Sequence, residues 1–74
     1  MHLRDELIEK IGKMLDEMAE IDNISYERIQ WEVDNFLYPY IGSYLADGSL
    51  SREDGKEIFK FCEIKLREIK ERLR

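Results

Sequence analysis

Few side chains in this sequence could do covalent or metal chemistry, and their spacing does not bring them together. Cys62 is the single cysteine and His2 the single histidine, and they lie at opposite ends of the chain. A cysteine nucleophile needs a neighbouring base, and a structural zinc site needs about four ligands. That pair meets neither requirement. Gly12, Gly42, Gly48 and Gly55 are scattered, so no glycine-rich loop can cradle a phosphate. The turn at Asp47-Gly48 has part of a calcium loop: with Gly48 at position 6, Asp47 falls at 5 and Asp54 at 12. Ser43 and Leu45 then stand where two of the first three carboxylates belong, and the bidentate glutamate is missing. The chain is expected to be non-catalytic, with no metal and no cofactor.

The remaining candidates are suited to recognition. Glu27, Trp31, Asp34 and Tyr38 follow at intervals of 4, 3 and 4, which aligns them along one side of a helix. Phe61 and Ile64 fall outside the apolar stripe of their own segment. Trp and Tyr are enriched at binding hot spots, and an acidic rim orients a basic partner. Trp31, Tyr38, Phe61, Ile64, Glu27 and Asp34 are therefore the expected protein interface.

Three helical segments must position these residues. The first, about 3–21, carries Leu3, Leu7, Ile8, Ile11, Met14, Leu15, Met18 and Ile21. At 100° per residue they share an arc of roughly 140°, with charged residues opposite. Asp22, Asn23 and Ser25 interrupt it, and Ser25 is a good N-cap. The second, about 25–46, contains Pro39, which should kink or break it, because proline lacks the N–H and crowds the carbonyl of Asn35. Asp47-Gly48 ends that helix. Ser51 with Asp54 resembles a capping box, and the third helix runs to about 73. Its stripe is Ile58, Phe59, Cys62, Leu66, Ile69 and Leu73. No stretch alternates with period two, so the expected fold is all-α, a small three-helix bundle in a single domain.

The second helix is apolar on two sides. Ile29, Val33, Phe36, Leu37, Tyr40 and Tyr44 cluster within about 100° on the wheel, while Trp31, Tyr38 and Leu45 lie across from them. A bundle of three helices needs only one buried stripe per helix. Trp31, Tyr38, Phe61 and Ile64 are then left for a partner, unless a disturbance at Pro39 turns Tyr38 and Leu45 into the core. The simplest partner is a second copy, since symmetric dimers are the commonest oligomers. A chain of 74 residues also gains most from such support, because it buries only about 60% of its unfolded surface.

Charge narrows the partner further. Twelve Lys and Arg oppose seventeen Asp and Glu, for a net charge of −5. Residues 16–34 are the most acidic, which suits a basic protein partner. The acidic balance disfavours general nucleic-acid binding. The alternative is a nucleic-acid-associated regulator using the basic third helix, where Lys56, Lys60, Arg67, Lys70 and Arg74 share a side. Glu63 and Glu68 are interleaved there and repel phosphate. No run approaches the ~18 apolar residues of a membrane span. The acidic start, Met1 to Glu9, lacks the apolar core of a secretion signal, so the expected setting is cytoplasmic and reducing. The absence of Thr and the wealth of Glu, Lys, Arg and Ile are a faint thermophile-like bias.

Overall fold

The computed structural model describes residues 2–73. Three helices account for most of them: α1 (Leu3–Ala19), α2 (26–46) and α3 (Arg52–Arg72). None is long and apolar enough to cross a membrane. The capping residues act as their types dictate. Ser25 Oγ accepts from Arg28 N at 3.1 Å, and Ser51 Oγ accepts from Asp54 N at 3.1 Å. His2 Nδ1 accepts from Arg4 N at 3.3 Å, so this histidine closes the start of α1. The left-handed turn positions fall on Asn23 (φ 63°) and Gly48 (φ 82°). α1 stops at Ala19, two residues early, because the chain already turns through 20–25. Ile21 is left outside the helix and exposed.

Helix α2 departs from expectation in an informative way. It neither breaks at Pro39 nor ends there: helical backbone runs through Tyr26–Glu32, Val33–Leu37 and Tyr38–Ala46. Leu37 and Tyr38 keep helical dihedrals (φ −73°, ψ −51° and φ −62°, ψ −44°). The accommodation lies one turn earlier. Val33–Leu37 is a π-helical turn, in which Tyr38 N donates to the Val33 carbonyl five residues back. A π turn accommodates one extra residue, and this one sits where proline's missing donor and bulky ring disturb the ladder. It also frees a carbonyl, and Asn35 Nδ2 donates to the Trp31 carbonyl at 2.9 Å.

The extra residue resets the helical phase by roughly 100° for everything after it. Ile29, Val33, Leu37 and Ile41, spaced four apart, then make one straight buried seam. In an uninterrupted α-helix that spacing drifts around the cylinder. The reset carries Tyr38 and Leu45 onto the core side, where both pack against it. It carries Phe36 and Tyr40 outward.

The core joins this seam to Leu7, Ile11 and Leu15 of α1 and to Ile58, Cys62, Leu66 and Ile69 of α3. α1 packs most extensively on α3, which runs in the same direction. Gly12 allows that approach: a Cβ there would stand 3.1 Å from Phe61 Cζ. Arg4 Nη1 reaches Asp54 and Glu57 at 3.4 and 3.0 Å at one end. Lys65 Nζ reaches Asp16 Oδ1 at 2.9 Å further along. α1 and α2, by contrast, meet along few residues, and a groove opens between them.

Candidate protein-docking surface

The six residues expected at an interface are divided by the fold. Trp31 is 49% exposed and Ile64 45%. Tyr38 and Phe61 are not free anchors. The Tyr38 ring packs edge-on against Phe59 with centroids 5.4 Å apart, tying α2 to α3. Burial, with Cys62, Asp34 and Glu63 nearby, raises the pKa of its phenol. Phe61 is spent on Gly12. The cause is the phase reset in α2 and the close α1–α3 approach, both invisible on a regular helical wheel.

Glu27, Trp31 and Asp34 do come together, lining a shallow depression with Tyr26, Gln30 and Lys70. Its polar members other than Glu27 are engaged within the chain. Tyr26 Oη donates to Gln30 Oε1 at 3.1 Å, and Gln30 Nε2 donates to Asp34 Oδ1 at 3.0 Å. Lys70 Nζ covers the Tyr26 ring at 5.4 Å, and the Arg28 guanidinium covers Trp31 at the same distance. Both rings thus carry cations from this chain.

The larger apolar surface lies elsewhere. The α1–α2 groove holds about 370 Å³. Ile11, Met14 and Met18 form one wall, and Val33, Phe36, Leu37 and Tyr40 the other, with Lys10 and Glu32 as its charged members. Phe36 is 59% exposed, Tyr40 43% and Met14 39%. Trp31 extends the patch, since its ring meets Phe36 edge-on at 5.5 Å. Tyr40 stacks edge-on with Tyr44, their hydroxyls 3.1 Å apart. Both Phe36 and Tyr40 were assigned to the buried stripe by regular helical spacing. The sequence signal for the π turn is the four-residue spacing of Ile29, Val33, Leu37 and Ile41 together with Pro39, which a regular helical wheel does not register.

The groove wall is aliphatic carbon, methionine sulfur and aromatic rings with the Tyr40 hydroxyl, and Lys10 and Glu32 also line it. The reactive candidate Cys62 lies in the core, fully buried. Burial pushes its thiol up to about 11, and the Glu63 charge adds to that. The folded chain therefore holds a proton that the unfolded chain releases. The resulting stabilisation is whole below the unfolded thiol pKa of ~8.5 and is lost as pH rises from there through about 11. Native Cys62 is expected to resist an aromatic disulfide reagent at neutral pH and to react on denaturation. Stability of the parent should also fall more steeply over that alkaline range than stability of Cys62→Ala. Free-thiol reactivity in the folded state contradicts this placement.

On α3, Lys56, Lys60 and Arg67 are exposed, with Glu57, Glu63 and Glu68 among them. Lys65 is engaged by Asp16. Among the described residues, no three His, Cys, Asp or Glu converge as a metal-binding group. No protein-family model, no curated protein and no solved structure matches this chain.

Proposed function

We propose that this chain is a non-catalytic protein-interaction module whose α1–α2 groove receives an amphipathic helix. The observation that carries the reading is the cluster Met14, Met18, Phe36 and Tyr40, an apolar wall left uncovered by a helix that had the residues to be buried. Helix-in-groove recognition uses such walls. Methionine adapts to varied partners, and exposed aromatic residues act as anchors. The role is that of a regulator, adaptor or inhibitor in a reducing cytoplasm, where a lone buried thiol needs no partner. The alternative on α3, nucleic-acid contact, has less support, because its exposed cations are interleaved with glutamates.

The test is titration with a fluorescent synthetic amphipathic helix of leucine, lysine and glutamate. Phe36→Asp is expected to weaken binding about thirtyfold, the ratio that a ~2 kcal/mol hot spot gives. Ile64→Asp, on the outer face of α3, should leave it unchanged. Far-ultraviolet helicity should be retained in both. Equal loss in both variants, or none in Phe36→Asp, removes the groove as the docking site.

A further inference from the structure

We infer that α2 has a second register, one residue out of step with the one described above, in which the docking wall is withdrawn. The inference rests on the docking reading for its consequence and on α2 itself for its mechanism. Its basis is that the buried places beyond the π turn each have two apolar or aromatic claimants. The turn holds one residue more than an α-helix fits into the same length. When it closes into ordinary α-helix, each residue from Phe36 onward advances into the place of the next, about 1.5 Å along and about 100° around. Phe36 then takes the place of Leu37, Leu37 that of Tyr38, Tyr40 that of Ile41 and Tyr44 that of Leu45.

The displaced residues move to open surroundings. Tyr38 goes to the exposed place of Pro39 and Leu45 to that of Ala46. Ile41 goes to that of Gly42, where a Cβ meets nothing within 4 Å. On the groove side, Asn35 and Pro39 take the places of Phe36 and Tyr40, so the wall loses both aromatic anchors at once. The larger rings have room to enter, because the groove of about 370 Å³ lies against Val33 and Leu37. At the far end, one residue joins the turn at 47–49, which is exposed throughout, and Leu50 keeps its buried place. Lengthening an exposed turn by one residue costs little.

Two features hold the register seen here. Pro39 has no donor and crowds an ordinary helical turn, so it favours the wide turn before it. Asn35 Nδ2, bonded to the Trp31 carbonyl, secures that turn from outside. A helix built for one register needs one claimant for each buried place. Two close packings of a single sequence make a switch, and a partner that binds only the displayed wall shifts the balance toward it.

The test releases the proline and makes the present register untenable. In Pro39→Ala with Ile41→Gln, the glutamine lies in the core as the chain stands but in the open place of Gly42 after the slip. Pro39→Ala with Ile58→Gln is the control, because Ile58 is equally buried on a helix without a π turn. Thermal unfolding should place the first variant about 10 °C or more above the control. Fluorotyrosine NMR with a soluble paramagnetic agent reads which rings meet water. Tyr40, 43% exposed in the parent, should become protected in the first variant, and Tyr38 accessible. Binding of the synthetic helix should weaken about tenfold, as withdrawal of the wall in roughly nine molecules of ten gives. Neither Pro39 nor Ile41 lines the groove.

A first variant as unstable as the control, or one that folds with Tyr40 still accessible, overturns the second register. The docking site then still stands if the parent binds the synthetic helix in a Phe36-dependent manner. A parent that binds no helix removes the docking reading, and the slip is then decided by the melting temperatures and Tyr40 alone.

Discussion

Ile58→Ala is expected to lower the melting temperature by about 10–30 °C, among the largest effects of any single truncation in this chain. Ile58 is fully buried in the first half of α3, within the core formed by all three helices. Removing its outer carbons loses transfer free energy and leaves a cavity that rigid neighbours fill only in part, together about 2–5 kcal/mol. A chain of this length holds only about 4–11 kcal/mol in all. The truncation therefore consumes a large part of the margin. Ile64→Ala is the matched control: same residue type, same helix, but half exposed, with an expected change within about 0.5 kcal/mol. Thermal unfolding followed by circular dichroism reads both. Equal shifts in the two variants contradict the assignment of α3 faces.

The second large effect concerns the π turn. Deleting Asn35 removes the extra residue and the side chain that caps the Trp31 carbonyl. The flanking segments can then close into continuous α-helix while keeping their faces. Pro39, however, loses the wide turn that precedes it and meets an ordinary α-helical interior. The expected cost is about 3 kcal/mol. Adding Pro39→Ala to the deletion should recover most of that loss, because alanine restores the donor and removes the ring. The non-additivity is the decisive part: the benefit of Pro39→Ala should be much larger in the deleted chain than in the parent. Denaturant midpoints of the four chains measure it. A deletion as stable as the parent, or one that Pro39→Ala does not rescue, contradicts the claim that the turn exists to accommodate proline.

These two results bear on how much could be read from the residues alone. The number and order of helices were legible because amphipathic periodicity, Ser25, Ser51, Asn23 and Gly48 all pointed the same way. Such agreement between local and global signals is what a foldable sequence provides. The one-sided stripe of α1 was legible for the same reason, though not its end at Ala19. The faces of α2 were not. A wheel at 100° per residue assumes uninterrupted α geometry, and one extra residue at 33–37 moves all later side chains to a different face. Tyr38 and Leu45 therefore read as surface and pack inside, while Phe36 and Tyr40 read as core and stand outside.

Met14 shows a different limit. It lies within the apolar arc of α1, and periodicity places it in the core. Whether it is covered depends on how closely α1 and α2 approach, and Gly12 against Phe61 seats α1 on α3 instead. No pattern within α1 contains that information. Surplus apolar surface on α2 was correctly visible as a quantity, but its position was a tertiary property. Trp31 is the one anchor on both accounts, and it borders the groove through Phe36.

The charge spacing on α3 makes the same point on a smaller scale. Glu63–Arg67 and Glu68–Arg72 have the spacing of helical ion pairs, yet neither closes among the described residues. Arg72 instead lies 3.9 Å from Asp16 on α1. Spacing licenses such contacts without requiring them, and exposed pairs are too weak to dictate a rotamer.

Amide and methyl NMR shifts, recorded while the synthetic helix is added, test the central claim most directly. The account predicts changes centred on Lys10, Met14, Met18, Glu32, Phe36 and Tyr40, with Lys56, Lys60, Ile64 and Arg67 unmoved. Changes centred on the outer face of α3, or spread evenly over the three helices, contradict it.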